Sequence, residues 1–492
     1  MSAAVLTVGD VPDAIRLELP AGVLRLEIEE GRSAFASLLD FAARANPKRA
    51  FLFLSKVLGK HYPSIPSEMV SVHCQLAATV PDAAGPVVFI GMAETATGLG
   101  QGVFEAWAHA HPDSNLLYMQ STRYKVPGAD WLGFDESHSH APRLFLHLPQ
   151  RDADRVTLAA ATQVVLVDDE LSTGNTFVNL VAALRCVMPA LSRVHIATIA
   201  DFTGDRRVLL SECMGIPCSI GALLRGAWRF EYRHDAVPET LPTTSPAQCS
   251  AGYEVQIEDA GYGRLGRTTC VSLPAGLIER LAEEPVEGTT LVLGTGEFMH
   301  AAFALGRALE TSGVDVRVQS TTRSPILLWG AVGHVTAVPD PYGEGVQNYL
   351  YNVRPGQYAR VLICHETAPS DPLMQILGYS LLAVGFATGI LVLAAREQTE
   401  RGTWLEGLLA IAPLRAVGRY SYAMYVFHLP LVIALTPAIR RWFAGTGQAL
   451  PLIVALLVGI ATFVAGAISY HVFEKHLLAL KTRVAPRVAY RS

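Results

Sequence analysis

The most constraining stretch of this chain is the run VVLVDDELSTGNT, which spans residues 164–176. Four apolar β-forming residues predict a buried strand, and the carboxylates of Asp168 and Asp169 follow at its carboxyl end. A loop rich in Ser, Thr and Gly then leads into a helix predicted to begin near Phe177. Short β-branched runs alternate with amphipathic helices along the chain, which predicts an α/β fold with parallel strands. Because ligands of open parallel sheets bind at the carboxyl ends of strands, the run predicts a ligand site here.

Each residue type in this run suits one part of a phosphorylated sugar. A turn at Gly174 lets backbone N–H groups converge on a phosphate, and Ser172, Thr173 and Thr176 add hydroxyl donors near a helix N-terminus. The two aspartates would repel a phosphate, but they can accept hydrogen bonds from two adjacent hydroxyls. The residues therefore predict a site for a 5-phosphoribosyl group. The alternative is a strand that merely ends in a solvated Asp-Asp turn.

The run resembles the signature of the type I phosphoribosyltransferases, which bind phosphoribosyl pyrophosphate (PRPP). This resemblance implies that Asp168 and Asp169 hold the ribose 2′- and 3′-hydroxyls. It further implies that Mg²⁺ is bound mainly through the pyrophosphate of the substrate, without a direct protein ligand. The loop implied to cradle the 5′-phosphate consists of Ser172, Thr173, Gly174, Asn175 and Thr176.

A second loop, GMAETATGLGQG at residues 91–102, follows the first strand of the same α/β pattern. Its small residues would let backbone amides approach a pyrophosphate, as the pyrophosphate loop of that family does. It is not a Walker loop, because no Gly-Lys-Ser/Thr follows the glycines. The residues assigned to this loop are Ala93, Glu94, Thr95, Ala96, Thr97 and Gly98.

The segment at residues 121–141, STRYKVPGADWLGFDESHSHA, resembles the mobile hood of these enzymes. Arg123 and Lys125 are expected to neutralise pyrophosphate as it departs, although a solvated loop is the alternative for both. Departure of pyrophosphate builds positive charge on the sugar, so catalysis would depend on cations and on exclusion of water rather than on a protein nucleophile. Glu94 and Glu136 are the candidate general bases.

Two histidines in the same segment, His138 and His140, carry no metal prediction, because a metal site needs at least a third ligand.

Several segments together resemble the phosphoribosyltransferases associated with tellurite-resistance gene clusters, in which a TRSP domain follows the transferase. They are NPKRAFLFLSKVLGKHYP, the 91–102 loop, the hood, the 164–176 run and, further along, TRSP at residues 322–325. The predicted domains are a transferase at 1–235 and a TRSP α/β domain at 250–368. The expected acceptor is a small nucleobase-like molecule that the sequence does not name. Lys56 and Lys60 are candidate phosphate contacts, or else belong to a solvated helix start.

The TRSP unit is a candidate for a second ligand site. Gly294, Gly296 and Glu297 lie at a predicted strand-to-helix turn, and Arg323 follows the next strand. This arrangement could bind an anionic or nucleotide-like group, with the loop at residues 342–345 closing over it. The alternative is a purely structural second domain.

The two α/β units also resemble each other, which raises the hypothesis of an internal duplication. The alternative is that any two βαβ units share such a pattern. The letters align Gly91 with Gly294, Glu94 with Glu297, Gln120 with Gln319, Ser121 with Ser320 and Thr122 with Thr321.

Charge and cysteine usage narrow the function classes. Of the 39 basic residues eleven lie in residues 370–492, against five of the 44 acidic residues, so the part before residue 370 is acidic. An acidic surface argues against nucleic-acid binding, which needs clustered Lys and Arg. The seven cysteines are scattered, and Asp10 and Asp13 interrupt any signal peptide, so we expect a cytoplasmic catalytic part in a reducing compartment.

The tail at residues 370–482 carries three apolar segments, at 374–395, 420–439 and 450–473, each long enough to span a bilayer. LRAVGRYSYAMYVFHLPL and ISYHVFEKHLLALK resemble the last helices of the integral-membrane acyltransferase-3 family. The earlier helices of that family are absent and His428 does not replace them, so no acyltransferase activity is expected. Buried helices of a soluble domain are the alternative to membrane attachment through residues 374–473.

Flanking cations would place the regions after the first and third segments inside, and hence the catalytic part outside, where PRPP chemistry does not belong. Either the first segment does not fully span, or the folded part sets the topology, or the tail is a fused fragment, which is the interpretation we favour. The leading hypothesis is thus an enzyme that acts on PRPP or a phosphoribosylated small molecule, with a homodimer as a further prediction. The competing hypotheses are a non-enzymatic PRPP-binding regulator and a membrane acyltransferase.

Overall fold

The computed structural model describes residues 14–44, 49–135, 143–233, 262–283, 286–342, 346–366, 435 and 450–471. The chain divides into two units, Met1–Gly378 and Tyr379–Ser492, and each is described by itself.

The first eleven strands build the part of unit one that is predicted to be a transferase, here named the transferase part. They are β1 (Ala14–Leu19), β2 (Gly22–Glu30), β3 (Leu39–Ala43), β4 (Phe51–Ser55), β5 (Val87–Gly91), β6 (Leu116–Thr122), β7 (Trp131–Asp135), β8 (Arg143–His147), β9 (Gln163–Leu171), β10 (Arg193–Asp201) and β11 (Cys218–Tyr232). Nine of them form one sheet in the order β1-β2-β11-β10-β9-β5-β6-β8-β7. The central strands β11-β10-β9-β5-β6 are parallel, and antiparallel strands extend both edges.

Helices cover the central strands, whose side chains are buried on both faces. The apolar runs at 87–90 and 164–167 are fully buried, as parallel strands under helical crossovers require. The predicted α/β class with a parallel-rich sheet is therefore confirmed. The helices of unit one are α1 (Phe35–Leu38), α2 (Pro66–Ala77), α3 (Thr97–Ala110), α4 (Asp152–Ala160), α5 (Asn175–Leu184), α6 (Leu209–Met214), α7 (Leu277–Glu283) and α8 (His300–Thr311).

One predicted element differs. The helical spacing of residues 33–45 predicts a helix, but only α1 is helical there, and the chain then turns into β3. Strand β3 pairs antiparallel with β4, which supplies the hydrogen bonds that the helix would have made internally. Tertiary pairing thus outweighs a weak local helical preference.

The TRSP part of unit one is a smaller α/β block. Its strands are β12 (Thr290–Gly294), β13 (Val316–Ser320), β14 (Val335–Val338), β15 (Asn348–Tyr351) and β16 (Arg360–Cys364). Strands β13-β12-β16 form a parallel sheet, and β14 and β15 form a hairpin. Both α/β blocks belong to the same compact unit, and the proposed boundary near residues 235–250 lies outside the described residues.

The second unit is described through helix α9 (Leu450–Ser469), which covers part of the third apolar segment. The segments at 374–395 and 420–439 lie outside the described residues, apart from Leu435. Counting only the residues that the structure describes in full, no helix is long and apolar enough to cross a membrane.

Candidate active site

The end of β9 carries the predicted ribose and phosphate residues. The strand continues through Asp168 and Asp169 to Leu171, and α5 begins at Asn175, two residues before the predicted start. Gly174 caps this helix with a φ of 73°, a left-handed conformation that other residues adopt only at a cost. The loop side chains are partly exposed, so a phosphate could reach them at the helix N-terminus.

The two aspartates differ in their electrostatic surroundings. Burial raises the pKa of Asp169 to about 6, and the charge of Glu170 adds to this effect, although hydrogen bonding with Asp168 opposes it. The Asp169 N–H donates to Asp168 Oδ1 at 3.0 Å. At neutral pH the Asp169 carboxyl can be ionised, and so it can accept a hydrogen bond from a hydroxyl of a diol.

An arginine that the sequence reasoning missed supports this strand end. Arg49 Nη2 donates to both carboxylate oxygens of Glu170, at 2.7 and 2.9 Å. The Arg49 guanidinium lies 4.7 Å from the ring centroid of Phe51 and 5.6 Å from that of Trp228. Arg49 follows directly on NPK in the motif quoted above, but its partner is 121 residues away, and no local pattern identifies it.

The predicted pyrophosphate loop is tightly closed at the end of β5. The Ala93 N–H donates to Ser121 Oγ at 2.8 Å, and the Ala96 N–H donates to Met92 O at 2.9 Å. A Cβ on Gly100 would lie 2.4 Å from the Cα of Gly91, so the helix approaches the strand closely only because both are glycine. The Ala93–Glu94 peptide bond is cis.

Burial decides which of these loop residues a ligand could meet. Ala93, Ala96, Thr97 and Gly98 are buried, whereas Glu94 and Thr95 are partly exposed. Among the described residues, no acceptor is within hydrogen-bond reach of the N–H groups of Glu94 and Thr95.

Glu94 is held by cations rather than poised to take a proton. Burial alone would raise the pKa of Glu94, but the charges of Lys60, Arg123 and Arg323 lower it to about 2. Lys60 Nζ lies 2.9 Å from Glu94 Oε1 and donates to the carbonyls of Gly296 at 2.8 Å and Thr321 at 2.9 Å. A carboxylate with so low a pKa is a weak general base.

The two candidate lysines therefore have partners within the chain. The Lys60 side chain is completely buried, and its three hydrogens are all directed at protein oxygens. Lys56 Nζ donates to Ala36 O at 2.9 Å and lies 3.3 Å from Asp40 Oδ2. Neither ammonium group is directed at the phosphate loop.

The predicted hood contains β7, which pairs antiparallel with β8, and the two cations of the hood lie between β6 and β7. The Arg123 N–H donates to Glu297 Oε1 at 2.9 Å. The Lys125 ammonium lies 4.1 Å from the ring centroid of Trp131 and 5.1 Å from that of Phe145. Glu136, His138 and His140 lie outside the described residues.

The four ligand candidates of the TRSP part take part in contacts within the chain. Glu297 accepts hydrogen bonds from Thr122 Oγ1 at 2.6 Å and from Arg264 Nη2 at 2.7 Å, in addition to the Arg123 N–H. The Gly294 carbonyl accepts the Thr321 N–H at 3.1 Å, and the Gly296 N–H donates to Thr321 Oγ1 at 2.9 Å. Arg323 Nη1 donates to Tyr124 Oη at 2.9 Å.

Arg264, a buried arginine that no sequence motif indicated, lies between two carboxylates of the TRSP part. Its side chain is 1% exposed and forms ion pairs with Glu297 and Glu366. Tyr342 Oη donates to Glu366 Oε2 at 2.8 Å. The rest of the loop predicted to close here, residues 343–345, lies outside the described residues.

Three neighbouring strands thus bring the transferase candidates to one edge of the sheet. The order β9-β5-β6 makes neighbours of three strands, whose ends lead into the predicted ribose and phosphate residues, the predicted pyrophosphate loop and Arg123. Within the described residues, no three His, Cys, Asp or Glu side chains are grouped to hold a metal ion. A substrate-bound Mg²⁺ stays a prediction.

Comparison with known protein families assigns both parts of unit one. Residues 38–227 match a family described as phosphoribosyl transferase, and residues 271–381 match the TRSP domain C-terminal to it. Residues 38–227 are therefore phosphoribosyltransferase-like, and a TRSP-like domain follows them. Neither match extends beyond residue 381, so the resemblance of the tail to acyltransferase-3 proteins is not supported. No curated protein matches the chain.

Similar solved structures include two adenine phosphoribosyltransferases and one orotate phosphoribosyltransferase. The Giardia lamblia enzyme complexed with 9-deazaadenine is 15% identical, over 40% of this chain and 98% of that one, with a TM-score of 0.26. The Trypanosoma brucei enzyme in complex with AMP, pyrophosphate and ribose-5-phosphate is 11% identical, over 48% and 98%, with a TM-score of 0.28. The Mycobacterium tuberculosis orotate enzyme in complex with Fe(III) dicitrate is 13% identical, over 38% and 89%, with a TM-score of 0.23.

Proposed function

We propose that this protein, phosphoribosyltransferase-like over residues 38–227, uses PRPP and Mg²⁺ to transfer a phosphoribosyl group to or from a small nucleobase-like acceptor. One observation carries the proposal: the ends of β9, β5 and β6 are adjacent in the sheet. Their order matches the order of ribose 5-phosphate and pyrophosphate along PRPP, with the protein cations that follow β6 on the pyrophosphate side.

The β9 end binds the sugar. Asp168 and Asp169 accept hydrogen bonds from the ribose hydroxyls, and the loop from Ser172 to Thr176 binds the 5′-phosphate at the N-terminus of α5. The left-handed turn at Gly174 directs backbone N–H groups towards that phosphate. Arg49 holds Glu170, and thereby the strand end, in place.

The β5 and β6 ends bind the leaving group. The N–H groups of Glu94 and Thr95, which have no acceptor among the described residues, donate to pyrophosphate oxygens. Arg123 and Lys125 add positive charge as the bond to C1 breaks. Glu94 acts as a positioning residue, since its low pKa makes it a poor base. Asp168 and Asp169 would reach a substrate-bound Mg²⁺ only through the ribose hydroxyls or water, and the ion would neutralise charge on the pyrophosphate.

Calorimetry of the full chain with PRPP and Mg²⁺ tests the site. We expect the double variant Asp168→Asn, Asp169→Asn to lose at least about a hundredfold in PRPP affinity, because two charge-assisted hydrogen bonds are weakened. The control is Asp152→Asn, an exposed aspartate on α4 that should bind PRPP as the wild type does. Undiminished binding by the double variant would refute the assignment. An acceptor screen that measures pyrophosphate release then identifies the second substrate.

A non-enzymatic PRPP-binding regulator is the second candidate, and one observation favours it. Although burial raises the pKa of Glu94, the charges of Lys60, Arg123 and Arg323 lower it to about 2, so Glu94 is a poor general base. PRPP binding without pyrophosphate release with any nucleobase would support the regulator over the enzyme.

We further propose that the catalytic part is cytoplasmic, because PRPP is a cytosolic substrate, and that the domains are those at 1–235 and 250–368. We also propose membrane attachment through residues 374–473, which protease accessibility in inside-out vesicles tests. We further propose a homodimer, which light scattering of the purified chain tests.

A further inference from the structure

The TRSP part repeats the architecture of the transferase part. The residues that are equivalent in the two structures differ, however, from those that the sequence alignment matches. In the sheets, Gly91 lies opposite Gln120, and Gly294 lies opposite Ser320. Gln120 is therefore equivalent to Ser320, not to Gln319, and the Q-S-T match is wrong by one residue. The corrected register makes Arg123 equivalent to Arg323.

Hydrogen bonds support the corrected register. The residue before each loop glutamate donates its N–H to the equivalent hydroxyl, from Ala93 to Ser121 Oγ and from Gly296 to Thr321 Oγ1. The hydroxyl of the following residue, Thr122 or Thr322, accepts the N–H two residues later, at 3.1 and 3.2 Å. The helices α3 and α8 also begin at equivalent positions.

The third strand extends the equivalence to the substrate carboxylates. Gly91 lies opposite Val167 in β9, and Gly294 lies opposite Cys364 in β16. The two residues that follow Val167 and Cys364 along the chain are thus equivalent, which aligns Asp168 and Asp169 with His365 and Glu366, just after the end of β16. The TRSP part has an acid, Glu366, at the position of Asp169 and a histidine, His365, at the position of Asp168.

Arg264 fills the repeated site. Its guanidinium pairs with Glu297 and Glu366, the equivalents of Glu94 and Asp169, and all three side chains are at most 2% exposed. In the transferase part, the proposed substrate would lie between those two equivalent positions. The TRSP part therefore has an arginine where the transferase part would have a ligand.

Each loop glutamate also accepts a backbone hydrogen bond from the other part. Glu94 accepts the Arg323 N–H at 3.1 Å, and Glu297 accepts the Arg123 N–H at 2.9 Å. Arg264 Nη2 lies 2.7 Å from Glu297 Oε2, so the guanidinium pairs with the same carboxylate that holds the backbone of Arg123.

We propose that the TRSP part is a duplicated transferase half whose own site is closed by Arg264, and that Glu297 is a positioning residue that fixes Arg123 at the pyrophosphate end of the active site. This inference rests on the proposed function. It predicts that the TRSP part controls binding of the pyrophosphate group but not of the ribose 5-phosphate group.

Two probes separate these groups on the full chain: PRPP with Mg²⁺, and ribose 5-phosphate. We expect Glu297→Gln to weaken PRPP binding about tenfold, because a charge-assisted buried hydrogen bond is weakened, and to leave ribose 5-phosphate binding within about twofold. Arg123→Ala should show the same selectivity, and Glu297→Gln should have little further effect in the Arg123→Ala background. Glu279→Gln, an exposed glutamate on α7, is the matched control.

Retained ribose 5-phosphate binding shows that a variant is folded. Arg264→Lys keeps the positive charge in the closed site, and we expect it to retain more PRPP affinity than Glu297→Gln does. Unchanged PRPP binding by Glu297→Gln, equal loss of both probes, or full additivity with Arg123→Ala would each overturn the inference. A wild-type chain that binds neither probe would instead overturn the proposed function, on which this inference depends.

Discussion

Replacement of Lys60 by Met should destabilise unit one strongly, because it removes a buried cation with three oxygen partners. Lys60 Nζ contacts Glu94 and the carbonyls of Gly296 and Thr321, and its side chain is 0% exposed. Removal of one partner of a buried ion pair costs about 3–5 kcal/mol. Arg123 and Arg323 still lie near Glu94 in the variant, so the loss in free energy of unfolding should be near the lower end of this range.

The pKa of Glu94 leads to a similar magnitude. A shift from 4.5 to about 2 corresponds to about 3 kcal/mol at about 1.4 kcal/mol per pH unit. The pKa is lowered in the folded state, so this stabilisation is present above pH 4.5 and is lost as the pH falls towards 2. In Lys60→Met the shift is smaller, so the stability difference from the wild type should shrink as the solution is acidified.

Urea denaturation followed by tryptophan fluorescence measures the effect at pH 7 and at several lower values. Lys56→Met is the matched control, because Lys56 is partly exposed beside Asp40 and should cost less than about 1 kcal/mol. The double variant Lys60→Met, Glu94→Gln should recover part of the loss, because it no longer buries an unpaired carboxylate. If Lys60→Met costs no more than Lys56→Met, Lys60 does not hold the pyrophosphate loop and the reasoning is refuted.

Two further predictions concern the ribose and phosphate residues. Ribose 5-phosphate affinity should fall as the pH drops below about 6, because protonated Asp169 loses an acceptor, and calorimetry of Asp169→Asn should show a flatter pH profile; an unchanged profile would contradict the assignment. Gly174→Ala should lower the free energy of unfolding by about 1–2 kcal/mol, because φ is 73° there, and should weaken ribose 5-phosphate binding. Gly85→Ala, where a Cβ meets Thr162 only at 3.4 Å, is its control in the same denaturation assay, and equal effects would show that backbone conformation is not the cause.

The local parts of this site could be predicted from sequence. A buried strand, two carboxylates, a glycine turn and a helix start are consecutive in residues 164–176. Neighbouring residues along the chain determine each of these features, so the sequence pattern is enough to predict them. The parallel sheet and the edge on which the candidates lie follow from the same alternation of strands and helices. Residues 33–45 show the limit, because their weak helical spacing is overruled by pairing of β3 with β4.

The partners of the charged side chains were decided only by the tertiary structure. Glu94 meets the Arg323 N–H across 229 positions, and Arg264 pairs with Glu297 across 33. Whether a lysine binds a phosphate or a buried carboxylate depends on which distant oxygens surround it, and no periodicity encodes that. The register of the internal repeat was likewise set by hydrogen bonds between strands, where a slip of one residue changes every pairing, while the matching letters Q-S-T indicated the wrong one.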